Sequence, residues 1–292
     1  MAASARTAHR YLDVEGVRVF YRESLPDRAG APVLLLLHGF PSASHQYRAL
    51  FDRLGSRYRL IAPDHPGSGH TEAPAGYTYS FDRLADLTEG FVRALGLTRF
   101  ALYVFDFGAP IGLRVAERNP GWIAGLIVQN GNAYADGLSQ AARDLIAQHP
   151  DTPGGPERMH AELTLEAVRA QYLTGVPDPS LVAPDNWTLD HHFLGLPGHR
   201  EAQAALLFDY HTNVKSYDRW QAWLRKHTPP ALIVWGENDP FFTEAGARSY
   251  QRDLPDAELH LFDTGHFALE THADEIAPLV AGFLDRLTEE WR

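Results

Sequence analysis

A chain of 292 residues, 45% hydrophobic and 11% aromatic, carries enough apolar material for one large packed domain or two modest ones. Its formal charge of −11, unrelieved by any lysine–arginine cluster, sets it against phosphate backbones and anionic membrane surfaces, so nucleic acid is not expected as a partner. The absence of cysteine removes disulfides, thiolate zinc sites and cysteine nucleophiles together.

The opening residues, Met1 to Arg10, contain no apolar leader core, and the longest apolar runs are strand-sized, so a cytoplasmic protein without membrane spans is expected. Two β-like stretches, Tyr11–Val14 and Val17–Arg22, meet at Glu15-Gly16 as a hairpin would. Val33 to Leu37 is then an unbroken apolar run, the pattern of a strand buried on both faces of a parallel sheet, and it ends in His38-Gly39-Phe40-Pro41. A helix over Ser44 to Leu54 follows.

Strand and helix go on alternating: strand Tyr58–Ala62, a Pro-rich loop over Pro63–Tyr77, helix Ser80–Leu95, strand Arg99–Val104, helix Phe107–Arg118, strand Trp122–Gln129. This rhythm predicts a doubly wound parallel sheet. It breaks near Gly131, where about a hundred residues read as helical, with Pro-Gly interruptions and no good strand. It resumes at Ala231–Trp235, continues through helix Glu244–Leu254 and strand Glu258–Phe262, and closes with a helix over Asp274–Leu287.

The chemistry concentrates at strand ends. In Leu102 to Ala109 an apolar strand runs into a helix through Asp106, with Gly108 two residues on: the setting of a nucleophile elbow, with an Asp where a Ser often stands. The amides of the following helix favour negative charge there. The same segment fits an Asp serving as a helix N-cap, so other segments decide. Val104 departs from the small residue usual at its position, which predicts a turn slightly opened or differently packed.

After the first buried strand, Phe40 is placed to offer one oxyanion-hole amide, with that of Phe107 as the second. Asp239 follows the strand at Ala231, and His266 follows the last strand. The chain order Asp106, Asp239, His266 is nucleophile, acid, base, each past a strand's C-terminal end, where doubly wound sheets gather their sites.

These motifs, spread over nearly the whole core, resemble the α/β-hydrolase superfamily, and the Asp nucleophile resembles its epoxide hydrolase and haloalkane dehalogenase branch, as does Pro63 to Thr71. The resemblance implies an α/β-hydrolase fold, a mostly parallel eight-stranded sheet with a helical cap inserted after the sixth strand: core 1–134, cap 135–226, core 227–292. It also favours Asp239 over Glu237 as the acid.

No Gly-x-Ser-x-Gly stands in a strand–helix setting, Ser68 lying in a loop, which disfavours a serine esterase. Glu72 breaks a dinucleotide fingerprint, and His191-His192 lack zinc spacing, so neither cofactor nor metal is implied. A carboxylate nucleophile suits attack on an sp³ carbon, forming an alkyl ester that His266, oriented by Asp239, opens with water.

Within the branch, dehalogenases usually carry a Trp, or in the fluoroacetate type an Arg, after the nucleophile, whereas this chain has Phe107; neither it nor Phe40 donates from its side chain. The reading is an epoxide hydrolase-like enzyme acting on a small apolar organic substrate and water. A haloalkane or haloacid dehalogenase is the alternative, and a non-catalytic ligand-binding member of the fold the alternative of another class. Tyr210 is the candidate cap proton donor, with Tyr134 or Tyr172 as a second, and His38, Trp187 and Phe193 are candidate pocket residues.

Overall fold

The computed structural model describes residues 6–289; the reading of residues 1–5 as free of a leader lies outside them. The hairpin forms between β1 (Thr7–Val14) and β2 (Val17–Ser24). Glu15 and Gly16 both have positive φ, 49° and 82°, the pair of left-handed residues that a tight two-residue turn between twisted strands requires.

The alternating part follows as β3 (Val33–Leu37), a short 3₁₀ turn and α1 (Arg48–Leu54), β4 (Arg59–Pro63), α2 (Phe81–Ala94), β5 (Phe100–Phe105), α3 (Gly108–Arg118) and β6 (Ile123–Gln129). Seven helices then intervene among the described residues: α4 (Gln140–Ile146), α5 (Gly155–Ala161), α6 (Leu165–Leu173), α7 (Asp185–Leu194), α8 (His199–Asp209), α9 (His211–Val214) and α10 (Tyr217–His227). The core closes with β7 (Ala231–Gly236), α11 (Glu244–Asp253), β8 (Glu258–Phe262) and α12 (Ala268–Glu289). Helix α12 begins six residues before the expected Asp274, because a first turn precedes a break at His272 (φ −121°, ψ 24°).

The eight strands form one sheet in the order β1-β2-β4-β3-β5-β6-β7-β8, antiparallel at β1–β2 and β2–β4 and parallel elsewhere. Leu34 to Leu37 and Leu102 to Phe105 are fully buried, as central parallel strands covered on both faces must be. One apolar layer joins the sheet to α1 and α12 through Leu50, Phe51, Ile276 and Val280; the other joins it to α2, α3, α10 and α11. Every parallel strand therefore ends at the same edge, beneath the helical insertion between β6 and β7. No helix among the described residues is long and apolar enough to cross a membrane.

Candidate active site

Strand β5 delivers its last residue into a tight turn at Asp106, whose φ is +47°. A non-glycine residue held left-handed is strained, and such strain is characteristic of functional turns. Close packing enforces the turn: a Cβ on Gly108 would stand 2.0 Å from the Leu37 carbonyl oxygen, and one on Gly39 would stand 2.3 Å from Asp106 Cβ. Of the two outcomes expected at Val104, an opened turn or different packing, the structure shows the second. Val104 is fully buried, and its bulk is taken up by Gly112 on α3, where a Cβ would stand 2.5 Å from Val104 Cγ1.

Asp106 is not the N-cap of α3. That position is Phe107, and no side chain caps the helix. The Asp106 carboxylate instead reaches across the strand ends, where the Phe40 amide donates to Oδ1 at 2.6 Å and the Phe107 amide donates to the same carboxylate. Burial raises the Asp106 pKa to about 6 against the lowering effects of His266 and these two amides.

His266 Nδ1–H donates to Asp239 Oδ2 at 2.6 Å, and His266 Nε2 stands 3.8 Å from Asp106 Oδ2. Burial would lower the His266 pKa, but the Asp239 carboxylate and its hydrogen bond, with Asp106 beyond, raise it. Asp239 is saturated: Oδ1 accepts from the amides of Phe241 (2.8 Å) and Phe242 (3.1 Å), and Oδ2 also accepts from Asn130 Nδ2 at 2.8 Å. Glu237 is exposed. Asn130, just past the end of β6, thus holds the Asp239 carboxylate in place.

The Pro63–Thr71 segment locks the Phe40 side of the site. Asp64 accepts from the amides of Ser44 and His70, both at 2.8 Å, and the His65 amide donates to His38 Nε2 at 2.9 Å. The sequence places His38 in the substrate pocket; instead it is a buried strut under the loop and does not line the cavity over Asp106, and burial lowers its pKa.

A cavity of about 50 Å³ opens over Asp106, His266, Phe40 and Phe107, room for a small molecule. Phe241 and Phe242 after β7 form one wall; the insertion supplies Leu145, Ile146, Glu162, Gln171, Leu207 and Tyr210. Trp187 and Phe193 are not among its walls. Helix α7 packs on α6 and α8, so Trp187 lies half-buried against Tyr172 and Arg169, and Phe193 lies between the rings of His45 and His70.

Tyr210 is 5% exposed, and its hydroxyl neighbours the hydroxyl of Tyr217. Burial raises its pKa well above the ordinary phenol value, with Tyr217 and Asp106 adding to the effect. The other two tyrosines are engaged elsewhere: Tyr134 donates to Asp253 at 2.7 Å and Tyr172 to Asp190 at 2.5 Å. Gln171 and Glu162 gave no sequence signal, because nothing in their spacing marks the inner side of a short helix.

Residues 32–273 match the alpha/beta hydrolase fold family. An uncharacterized hydrolase of Saccharomyces cerevisiae is 39% identical over 274 residues, 92% of this chain and 94% of the relative. A haloalkane dehalogenase of Mycobacterium marinum is 31% identical over 296 residues, 92% of this chain and 91% of its own. Among solved structures, the haloalkane dehalogenase DbeA of Bradyrhizobium elkani superposes with a TM-score of 0.80 at 23% identity, covering 98% of this chain and all (100%) of that one. The chain belongs to the α/β-hydrolase fold family and is an α/β-fold hydrolase. Within that family it falls in the dehalogenase-like branch.

Proposed function

We propose that this protein hydrolyses a small substrate at an sp³ carbon through an ester on Asp106, and that the substrate is an epoxide. The observation that carries the reading is the division of labour on one carboxylate: Oδ1 is held by the Phe40 amide at 2.6 Å, while Oδ2 faces His266 Nε2 at 3.8 Å.

In this reading Oδ2 attacks the less hindered epoxide carbon, the ring C–O bond breaks, and the departing oxygen takes a proton from Tyr210. The ester carbonyl oxygen is then Oδ1, already between the Phe40 and Phe107 amides. His266 Nε2 removes a proton from water, the hydroxide adds to the Asp106 carbonyl carbon, and the two amides bear the oxyanion. Collapse releases a diol and restores the carboxylate, and the proton taken from water returns to Tyr210. Asp239 fixes the tautomer and orientation of His266. Residues 135–226 act as a cap domain on a core made of 1–134 and 227–292.

Dehalogenation is the second reading, favoured by the haloalkane dehalogenase relative at 31% identity. A halide requires only N–H donors, and neither Phe40 nor Phe107 offers one from its side chain; the epoxide reading instead uses the buried hydroxyl of Tyr210.

The test is intact-protein mass spectrometry of His266→Ala after incubation with epoxides and haloalkanes, since loss of the base traps the ester. An added mass equal to a whole epoxide is expected. An alkyl adduct without its halogen moves the assignment to dehalogenase, and no adduct across a broad panel removes Asp106 as the nucleophile.

A further inference from the structure

Gln171 on α6 is 6% exposed and lines the cavity over Asp106. No hydrogen bond engages either end of its amide among the described residues. Buried amides are ordinarily satisfied. Gln203, in the same insertion, donates to Gly67 O at 2.8 Å and Ser68 Oγ at 2.9 Å although its Oε1 has no partner, and Gln129 in β6 accepts from the Tyr103 hydroxyl at 2.5 Å, so each of these amides is engaged at one end at least. Most of the cavity wall is apolar, with Leu145, Ile146, Leu207, Phe241 and Phe242, and the polar groups that share it, Glu162, Tyr210, His266 and Asp106, make no hydrogen bond to Gln171. Whatever pairs with this amide must enter the cavity.

The electrostatics narrow what that is. Two carboxylates, Asp106 and Glu162, line the cavity against one imidazole, His266, and no Arg or Lys does. Burial raises the Glu162 pKa, and Arg158, 3.7 Å away, offsets this only in part. An anionic substrate would be repelled. A neutral group that both donates and accepts matches an amide that does the same, and the smallest such group is a hydroxyl.

We propose that Gln171 is a specificity-determining residue that hydrogen-bonds a hydroxyl group carried by the substrate, so that the cavity selects hydroxylated substrates over plain hydrocarbon ones. The inference rests on the reaction assigned above. A hydrocarbon chain seated against Gln171 strips its amide of solvent and returns nothing, whereas a hydroxyl restores the bonds. Sites of this kind discriminate by roughly ten- to a hundredfold or more.

The experiment compares kcat/KM of the full chain for 2,3-epoxyhexan-1-ol and 2,3-epoxyhexane. A preference of about tenfold or more for the epoxy alcohol is expected in the wild type, falling toward unity in Gln171→Leu and partly retained in Gln171→Asn. A wild-type ratio near one, a ratio that survives in Gln171→Leu, or an equal loss on both substrates overturns the proposal.

A second measurement does not depend on turnover. The Gln171 side-chain amide resonance, identified by its loss in Gln171→Leu, is followed in ¹⁵N-labelled protein titrated with cyclopentanol and with cyclopentane. A shift with the alcohol alone supports the proposal even if no epoxide is turned over, in which case only the reaction assignment falls. No shift, or the same shift with both, overturns it.

Discussion

Asn130 donates its side-chain amide to Asp239 Oδ2 at 2.8 Å, the same oxygen that His266 bonds. Its side-chain oxygen, Oδ1, accepts from the Gly236 amide at 2.9 Å, so the side chain is clamped between the ends of two neighbouring strands. The residue sits there with φ +40°, a left-handed conformation that Asn tolerates better than most residues. Asn130→Ala removes a hydrogen bond to a buried carboxylate, and kcat should fall by about ten- to a hundredfold. The check is steady-state kinetics alongside a thermal melt. A loss of kcat with the fold intact marks Asn130 as a positioning residue for the acid, while unchanged kcat would remove it from that role.

The raised pKa of Asp106 has two consequences that point in opposite directions. Ester formation needs the carboxylate, so the single-turnover rate should fall about tenfold per pH unit below about 6. The group's folded pKa lies above its ordinary 3.8, so between those values the folded state binds more protons than the unfolded one and stability declines as pH rises. Above pH 6 the ionised carboxylate therefore costs stability. Asp106→Asn should abolish turnover and stabilise the protein at pH 8 by up to on the order of 3 kcal/mol, the gain shrinking toward pH 4. Denaturant unfolding of both forms at the two pH values measures this directly.

How much of this was legible in the sequence follows from which forces act locally. Strands β3, β5 and β7 are unbroken apolar runs because both sheet faces are covered, and the residues that end them are chemical because all parallel strands finish at one edge. Asp106, Asp239 and His266 could therefore be found without coordinates. Asn130 could not be assigned, since its partner lies 109 positions away and depends on β6 pairing with β7 in the register Gln129↔Val234. The insertion was legible as helical but not as a surface. Helices α6, α7 and α8 are short and weakly amphipathic, so the sequence does not say that α6 turns Gln171 inward or that α7 turns Trp187 and Phe193 away.

The elbow depends on backbone proximity that only glycine permits. At Gly108 a Cβ would meet Leu37 O at 2.0 Å and His38 O at 3.0 Å, and neither atom can yield without shifting β3. Gly108→Ala should lower stability by about 3 kcal/mol and displace the Phe40 and Phe107 amides, cutting kcat even where the protein still folds. Urea unfolding and kcat at a temperature below the variant's melt separate the two effects. A variant as stable as the wild type would show that the close approach of α3 to β3 is not required.

Tyr210 offers the sharpest division between the two candidate reactions. Its hydroxyl is buried in a cavity it shares with Asp106, with the Tyr217 hydroxyl beside it, so its proton is within the site where a leaving oxygen would need one. An epoxide oxygen leaving as an alkoxide needs a proton; a halide does not. Tyr210→Phe keeps the ring that packs against Phe81 and Phe107, so the substitution should spare the fold while deleting the proton. With an epoxide, the alkylation rate should fall by about a hundredfold or more, and the lost rate should return in part for epoxides bearing electron-withdrawing groups, whose alkoxides need protonation less. With a haloalkane, the same variant should lose little. Rapid-quench measurement of Asp106 ester formation on both substrate types reads the step itself. Equal rates in wild type and Tyr210→Phe on every epoxide would mean that the proton comes from elsewhere and that the buried hydroxyl serves another purpose.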